Sequence, residues 1–346
     1  MVYSASAIVA KQNNGDSLYY LKRELLWLII GMGIFAFMSV FDYHRLFRLS
    51  RPLFYLSIAL LVFVLLPGIG SEVSGAKRWL KIGGFRAFQP VEFMKVCLIL
   101  YLSVLILKKR EHISEFFRGF AALLVVLLAV SVLLLLQPNL GYTIVIGSSV
   151  IILSFLAGVK PSHIGAVILC SLPPLVFLIF AEEYRMRRVL AFMNPWADPS
   201  DKGYHLIQSF IALGSGGLFG LGFGNSKQKL FYLPEPHTDF IFSIIGEEGG
   251  FMATLIVIVL FIAVLSKGFK IALASRDDFG YLVASGITVM LGVQTLINIG
   301  VVIGMLPPTG IPLPFISYGG SSMLGTMTCM GILMNISSFS RGRIRK

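Results

Sequence analysis

The sequence predicts an all-α polytopic membrane protein, and three observations carry that prediction. Of 346 residues, 56% are hydrophobic and only 13% are charged, where a soluble domain holds about 25% charged residues. Mean hydropathy is +0.83. Nine apolar runs are each long enough to cross a hydrocarbon core: 25–40, 53–69, 91–107, 119–136, 141–158, 164–181, 240–265, 280–304 and 316–338. The opening residues, MVYSASAIVA, are too short to span and lack the basic start and cleavage site of a signal peptide. They read as the end of a further helix, so the expected architecture is a ten-helix bundle, here nine full spans plus the end of the first. Residues 1–346 are expected to form a single integral membrane domain.

The gaps between the runs assign sides. Segments 41–52, 108–118, 159–163, 266–279 and 339–346 are about twice as rich in Lys and Arg as 11–24, 70–90 and 305–315. The positive-inside rule places the first set, including the RGRIRK tail, in the cytoplasm. The long gap 182–239 then faces outward, as a large extracytoplasmic loop carrying interfacial helices. Within it, GYHLIQSFIALG sets Leu206, Ile207, Phe210, Ile211 and Leu213 on one helical face. His205, Gln208 and Ser209 are assigned to the other, which makes Gln208 and Ser209 candidate substrate contacts. A helix of that asymmetry lies in the interface, apolar side toward lipid or protein.

The net charge of +12 does not indicate nucleic acid, because the basic residues stand in short clusters at membrane edges. Cys97, Cys170 and Cys329 are far apart inside apolar runs and form no disulfide or zinc pattern. The glycine run 214–229 matches neither dinucleotide nor P-loop spacing and follows no strand. Its glycines are suited instead to tight turns and close backbone approach. No nucleotide, haem or zinc site is legible.

The densest polar cluster is LPEPHTDFIF followed by SIIGEEGG. Pro234 and Pro236 stiffen the approach, and Asp239 precedes an apolar run that begins at Phe240. There Asp239 has two readings that can coexist: a general base toward a sugar hydroxyl, or the N-cap of the following helix. His237 stands beside it. Glu247 and Glu248 lie about two turns deeper, where acids are functional candidates by default. Glu92 and Lys95, at i and i+3, share one helix face and read equally as a functional pair or a structural ion pair. Lys77, Arg78 and Lys81 flank Trp79, and Arg185, Arg187, Arg188, Lys227 and Lys229 crowd the outer segments. Such cations suit either a pyrophosphate or anchoring at lipid headgroups. The final outer segment, PPTGIPLPFISYGGSS, is dense in proline and glycine, a composition tolerated at membrane depth only where protein or a cavity covers it.

MVYSAS, GAKRW, FQPVE, QPNLG, IQSFIALGSGGLFGLGFGNSKQK, LPEPHTDFIF, IIGEE and LPFISYGGSS, in that order along nearly the whole chain, resemble the signature segments of the FtsW/RodA/SpoVE (SEDS) family. GAKRW, NPWADP and LPFISYGGSS look closer to its cell-division members than to its elongation members. The resemblance implies ten helices with both termini cytoplasmic, a multi-pass protein of the bacterial cytoplasmic membrane. It implies a glycosyltransferase that polymerises lipid II at the outer face, usually with a class B penicillin-binding protein transpeptidase and other division proteins, and without nucleic acid. The essential acid of the family falls on Asp239, and its QPxE acid and nearby lysine fall on Glu92 and Lys95. The pyrophosphate leaving group would be met by Lys77, Arg78, Arg187, Arg188 and Lys227, and a magnesium or manganese ion is the one cofactor expected. Asn139 departs from the family, where an Asp is usual in QPNLG. The competing readings are a lipid II flippase, an elongation-type polymerase and a non-catalytic division scaffold.

Overall fold

The structure is a computed structural model that describes residues 1–73, 76–82, 85–199, 203–229, 237–340 and 342. Pro234, Pro236, the side chain of Lys81 and most of the RGRIRK tail lie outside the described residues.

Each of the nine apolar runs contains a helix. They are α2 (Tyr19–Val40), α3 (Tyr43–Leu65), α4 (Pro90–Lys108), α5 (Ala121–Leu136), α6 (Leu140–Leu156), α7 (Pro161–Phe180), α10 (Ile241–Leu273), α11 (Asp278–Val302) and α12 (Gly320–Ser340). By length and composition, seven described helices can cross a membrane: Tyr19–Val40, Tyr43–Leu65, Pro90–Lys108, Phe116–Leu136, Pro161–Phe180, Ile241–Leu273 and Asp278–Val302. The other two fall short for plain reasons. Helix α6 has 17 residues, and α12 is diluted by glycine, serine, threonine and an asparagine. Ahead of them, α1 (Val2–Asn14) stops at Gly15, which takes a left-handed conformation and donates its N–H to Lys11 O. Proline starts α4 where its missing N–H costs nothing, and Asp42 caps α3 by accepting from His44 N.

One element corrects the all-α expectation. Strands β1 (Gly70–Val73), β2 (Ala76–Ile82) and β3 (Phe85–Phe88) form an antiparallel sheet in the order β1-β2-β3. Leu80 pairs with Gly70 on one side and Phe88 on the other. The sequence signal was present: short runs are separated by Ser-Gly and Gly-Gly, dipeptides typical of hairpin connections.

The chain divides into two compact units, residues 1–26, 166–263 and 294–319, and residues 27–165, 264–293 and 320–346. The second is built around α4, which is apolar on all sides, as a helix enclosed by others must be. Val96, Ile99, Leu100 and Val104 of α4 pack with Val283, Ile287, Cys329, Ile332 and Leu333 in one core.

The first unit contains the two helices of the long outer loop, α8 (Glu183–Met193) and α9 (Tyr204–Ser215), and the first part of α10. Helix α10 is broken at Gly250, with φ 68° and ψ −168°. A break in an apolar helix frees peptide groups that lipid cannot satisfy. The glycine-rich segment after α9 satisfies them. Leu221 N and Gly222 N donate to the carbonyls of Glu247 and Glu248, while Phe251 N and Met252 N donate to those of Gly217 and Leu218. The approach demands glycine at both contacts: a β-carbon on Gly250 would lie 2.4 Å from Gly220 N, and one on Gly220 2.1 Å from Glu248 O.

Candidate active site

Asp239 lies in a turn, residues 237–240, that leads into α10, whose first residue is Ile241, one later than expected. Its side chain lines a cavity of about 160 Å3 together with Arg188, His205, Asn298, Thr309 and Gly310. Four separate stretches of chain contribute: α8 gives Arg188, α9 His205, α11 Asn298, and the following loop Thr309 and Gly310. Gly310 has φ +72°, and a β-carbon there would sit 3.4 Å from Asp239 Oδ2. The missing side chain leaves the carboxylate room on that face.

Hydrogen bonds to the backbone hold this turn. His237 O accepts from Tyr318 N at 2.9 Å, Thr238 O from Ser317 Oγ at 2.6 Å, and Asp239 O from Asn298 Nδ2 at 2.9 Å. The imidazole of His237 is buried and packs on Tyr20, with ring centres 4.7 Å apart, and on Tyr318 at 5.5 Å. His237 therefore serves here as a packed aromatic wall behind Asp239, and it does not line the cavity.

The other sequence candidates divide sharply. Arg188 lines the cavity and donates to Pro308 O at 3.3 Å. Arg187, one residue away and so about 100° around the helix, is exposed and pairs with Glu183 on its own helix. Arg185 is buried and donates to Leu178 O at 2.9 Å. Gln208 is half-buried. Ser209 does not face outward as the helical wheel suggested: it is fully buried, sharing its hydroxyl with Ser243 Oγ at 2.7 Å and donating to Val302 O at 2.8 Å. It fastens α9 to α10 and α11, because packing turned the border residue of the amphipathic helix inward with Leu206. Lys227 has an exposed side chain, and its backbone N donates to Glu247 Oε1 at 2.9 Å.

The two acids of α10 are anchors for the glycine-rich segment. Glu247 accepts from the Ser226 hydroxyl and from Lys227 N and Gln228 N. Glu248 pairs with Lys229 at 3.0 Å and accepts from Ser4 Oγ at 2.5 Å. Both are wholly buried, and both are partnered, as buried charges require.

Four candidates belong to the second unit. Lys77 is exposed on β2. Arg78 donates to the carbonyls of Gln137 and Pro138. Lys95 Nζ lies 2.7 Å from Glu92 Oε2, and Tyr142 donates its hydroxyl to Glu92 Oε1. All three of these side chains are buried.

Sequence reasoning missed His205 and Asn298 as cavity residues, whereas Thr309 and Gly310 fall in the proline- and glycine-rich segment expected to be covered by protein or a cavity. His205 was visible as the polar border of an amphipathic helix. Asn298 carried only the oddity of an amide within an apolar run. Among the described residues, no group of three or more His, Cys, Asp or Glu gathers, and Asp239 is the one carboxylate lining the cavity. Those described donors do not fit a protein-built cage for a hard divalent cation, which takes several oxygen ligands.

The sequence matches the family described as cell cycle protein, FTSW_RODA_SPOVE, over residues 1–342. It is 42% identical over 343 residues to the probable peptidoglycan glycosyltransferase FtsW of Geobacter sp. (strain M18), covering 99% of this chain and 93% of that one. It is also 42% identical over 341 residues to stage V sporulation protein E of Bacillus subtilis (strain 168), with the same coverage. Among solved structures, a peptidoglycan synthase complex in which polymerization and crosslinking are structurally coordinated matches with a TM-score of 0.79 at 30% identity, covering 100% of this chain and 96% of that one. The rod shape determining protein RodA of Thermus thermophilus matches with a TM-score of 0.69 at 29% identity, covering 99% and 95%.

Proposed function

The chain belongs to the FtsW/RodA/SpoVE family, and on that premise we propose that it is a membrane-embedded peptidoglycan glycosyltransferase whose general base is Asp239. The observation that carries the proposal is a carboxylate, a guanidinium and an imidazole lining one cavity at the amino-terminal end of a long apolar helix. The substrate is lipid II. Asp239 removes the proton from the 4-hydroxyl of an acceptor GlcNAc, and the freed oxygen attacks the anomeric carbon of a donor MurNAc. The new glycosidic bond forms as the bond from that carbon to the phosphate oxygen breaks. The electron pair leaves with undecaprenyl pyrophosphate, and the configuration inverts. Arg188 is the cation placed to steady the leaving charge.

The same reading assigns the cavity to the outer face of the cytoplasmic membrane, in the family's ten-helix architecture, with the RGRIRK tail inside. It assigns the protein to septal synthesis, in keeping with the relatives named FtsW. A class B penicillin-binding protein is the expected partner, since a relative is found in a complex that couples polymerization to crosslinking. The buried acids do not favour the flippase alternative, because Glu92, Glu247 and Glu248 are all engaged by partners within the protein.

Asp239→Asn keeps the shape and removes the base. With purified lipid II and the partner present, glycan chain formation is expected to fall about 100- to 10,000-fold. Chains formed at the unaltered rate would refute the role of Asp239.

A further inference from the structure

The turn carrying Asp239 is bound to the rest of its unit through three consecutive carbonyls. His237 O, Thr238 O and Asp239 O accept hydrogen bonds from Tyr318 N, Ser317 Oγ and Asn298 Nδ2, donors that belong to α11 and the loop that follows it. Two of the three donors are side chains, Ser317 and Asn298, and both are buried, at 4% and 2% exposure.

Neither side chain has a free choice of orientation. The Ser317 oxygen accepts from Leu313 N at 2.8 Å, so its proton is directed at Thr238 O. The Asn298 amide spends its nitrogen on two carbonyls, Asp239 O at 2.9 Å and Ile311 O at 2.7 Å. A flipped amide would set its oxygen against both of those oxygens. Asn298 therefore joins the residue bearing the carboxylate to the residue following Gly310, which faces that carboxylate across the cavity.

We propose that Asn298 and Ser317 are positioning residues of the transferase reaction: they set the place of the Asp239 carboxylate through its backbone, and Ser317, which does not line the cavity, does so without touching substrate. The inference rests on Asp239 being the base. Its physical content is that proton removal by a carboxylate is steep in distance, so a displacement of about 1 Å costs on the order of 100-fold in rate. A clamp loosened at Ser317 then lowers kcat and spares KM.

The test measures lipid II polymerisation by the full chain with its partner, alongside thermal unfolding in detergent. Ser317→Ala is expected to lower kcat about tenfold at unchanged KM and nearly unchanged melting temperature. Ser317→Thr, which keeps the hydroxyl, is expected to restore it. Asn298→Asp puts oxygen against two carbonyls and is expected to lower kcat about 100-fold. Full kcat in Ser317→Ala and Asn298→Asp would overturn the proposal. So would a joint change of kcat and KM with a fallen melting temperature that Ser317→Thr does not rescue, which would mark a merely structural role. Asp239→Asn is run in parallel: its retained activity would sink the assignment of the base, whereas an inactive Asp239→Asn beside fully active clamp variants would sink this inference alone.

Discussion

Arg187 and Arg188 carry the same charge on adjacent residues, yet Arg188 alone lines the cavity with Asp239. The distinction predicts unequal effects. Arg188→Ala is expected to lower polymerisation about 100-fold, as loss of one donor to a developing negative charge does. Arg187→Ala removes an exposed pair with Glu183, worth about 0–1 kcal/mol, and should leave the rate within about twofold. Initial rates of lipid II consumption by the two purified variants check the contrast, and equal losses would contradict it. A run of arginines near a helix start says only that some cation faces each direction. Which one enters the cavity depends on the phase of α8 against a loop 120 residues away. Ser209 teaches the same lesson in reverse. At the border of an amphipathic face its polarity argued for exposure, but its hydroxyl found Ser243 and Val302, and burial then cost nothing.

At the level of elements, the broken α10 and the glycine-rich segment form one construction. The helix surrenders its own hydrogen bonds around residues 247–252, and the segment supplies replacements. Glu247 and Glu248 pin the far end of that segment through Ser226, Lys227, Gln228 and Lys229. Gly250→Ala tests the construction directly. Its φ and ψ lie in a region only glycine occupies without strain, a cost of about 1–3 kcal/mol, and its β-carbon would collide with Gly220 N besides. The expected outcome is a lower melting temperature in detergent and faster proteolytic cleavage within 216–229; a variant as stable and as resistant as the parent would show that the break tolerates a side chain. The density of glycine was plain in the sequence, as was its unsuitability for a phosphate loop. Its true partner was not, because the contact joins residues about 30 apart and leaves no periodic trace. The small sheet of β1, β2 and β3 was more legible, through its Ser-Gly and Gly-Gly dipeptides, than a reading dominated by hydropathy allowed.

For the whole molecule, composition decides the solvent. Seven described helices are long and apolar enough to cross a membrane, and the loops between the apolar runs differ about twofold in Lys and Arg. The bias predicts the sidedness that the catalytic proposal needs. In a variant lacking Cys97, Cys170 and Cys329, a single cysteine at Lys77 should react with an impermeant thiol reagent in intact cells or spheroplasts. One at Arg276 should react only after permeabilisation. Both positions are exposed, so the contrast reads topology rather than burial, and the opposite pattern would put Asp239 on the wrong side for lipid II polymerisation.

What the sequence by itself determined are the properties set within a few residues of chain. These are the helices and their approximate ends, the membrane as solvent, and the membership signalled by ordered motifs with Asp239 at the densest of them. They are legible because apolar length, helical period and capping act locally, and the cost of exposing a peptide group to hydrocarbon leaves few alternatives. Only the tertiary structure decided which polar side chains share the cavity, which acids serve as anchors, and how the Asp239 turn is held. Arg188, His205, Asp239, Asn298 and Ser317 are separated by tens of residues, and their meeting depends on the packing and rotation of α8, α9, α10 and α11. A hydrogen bond made or lost over one ångström is a matter of those rotations, and no local pattern in the chain encodes them.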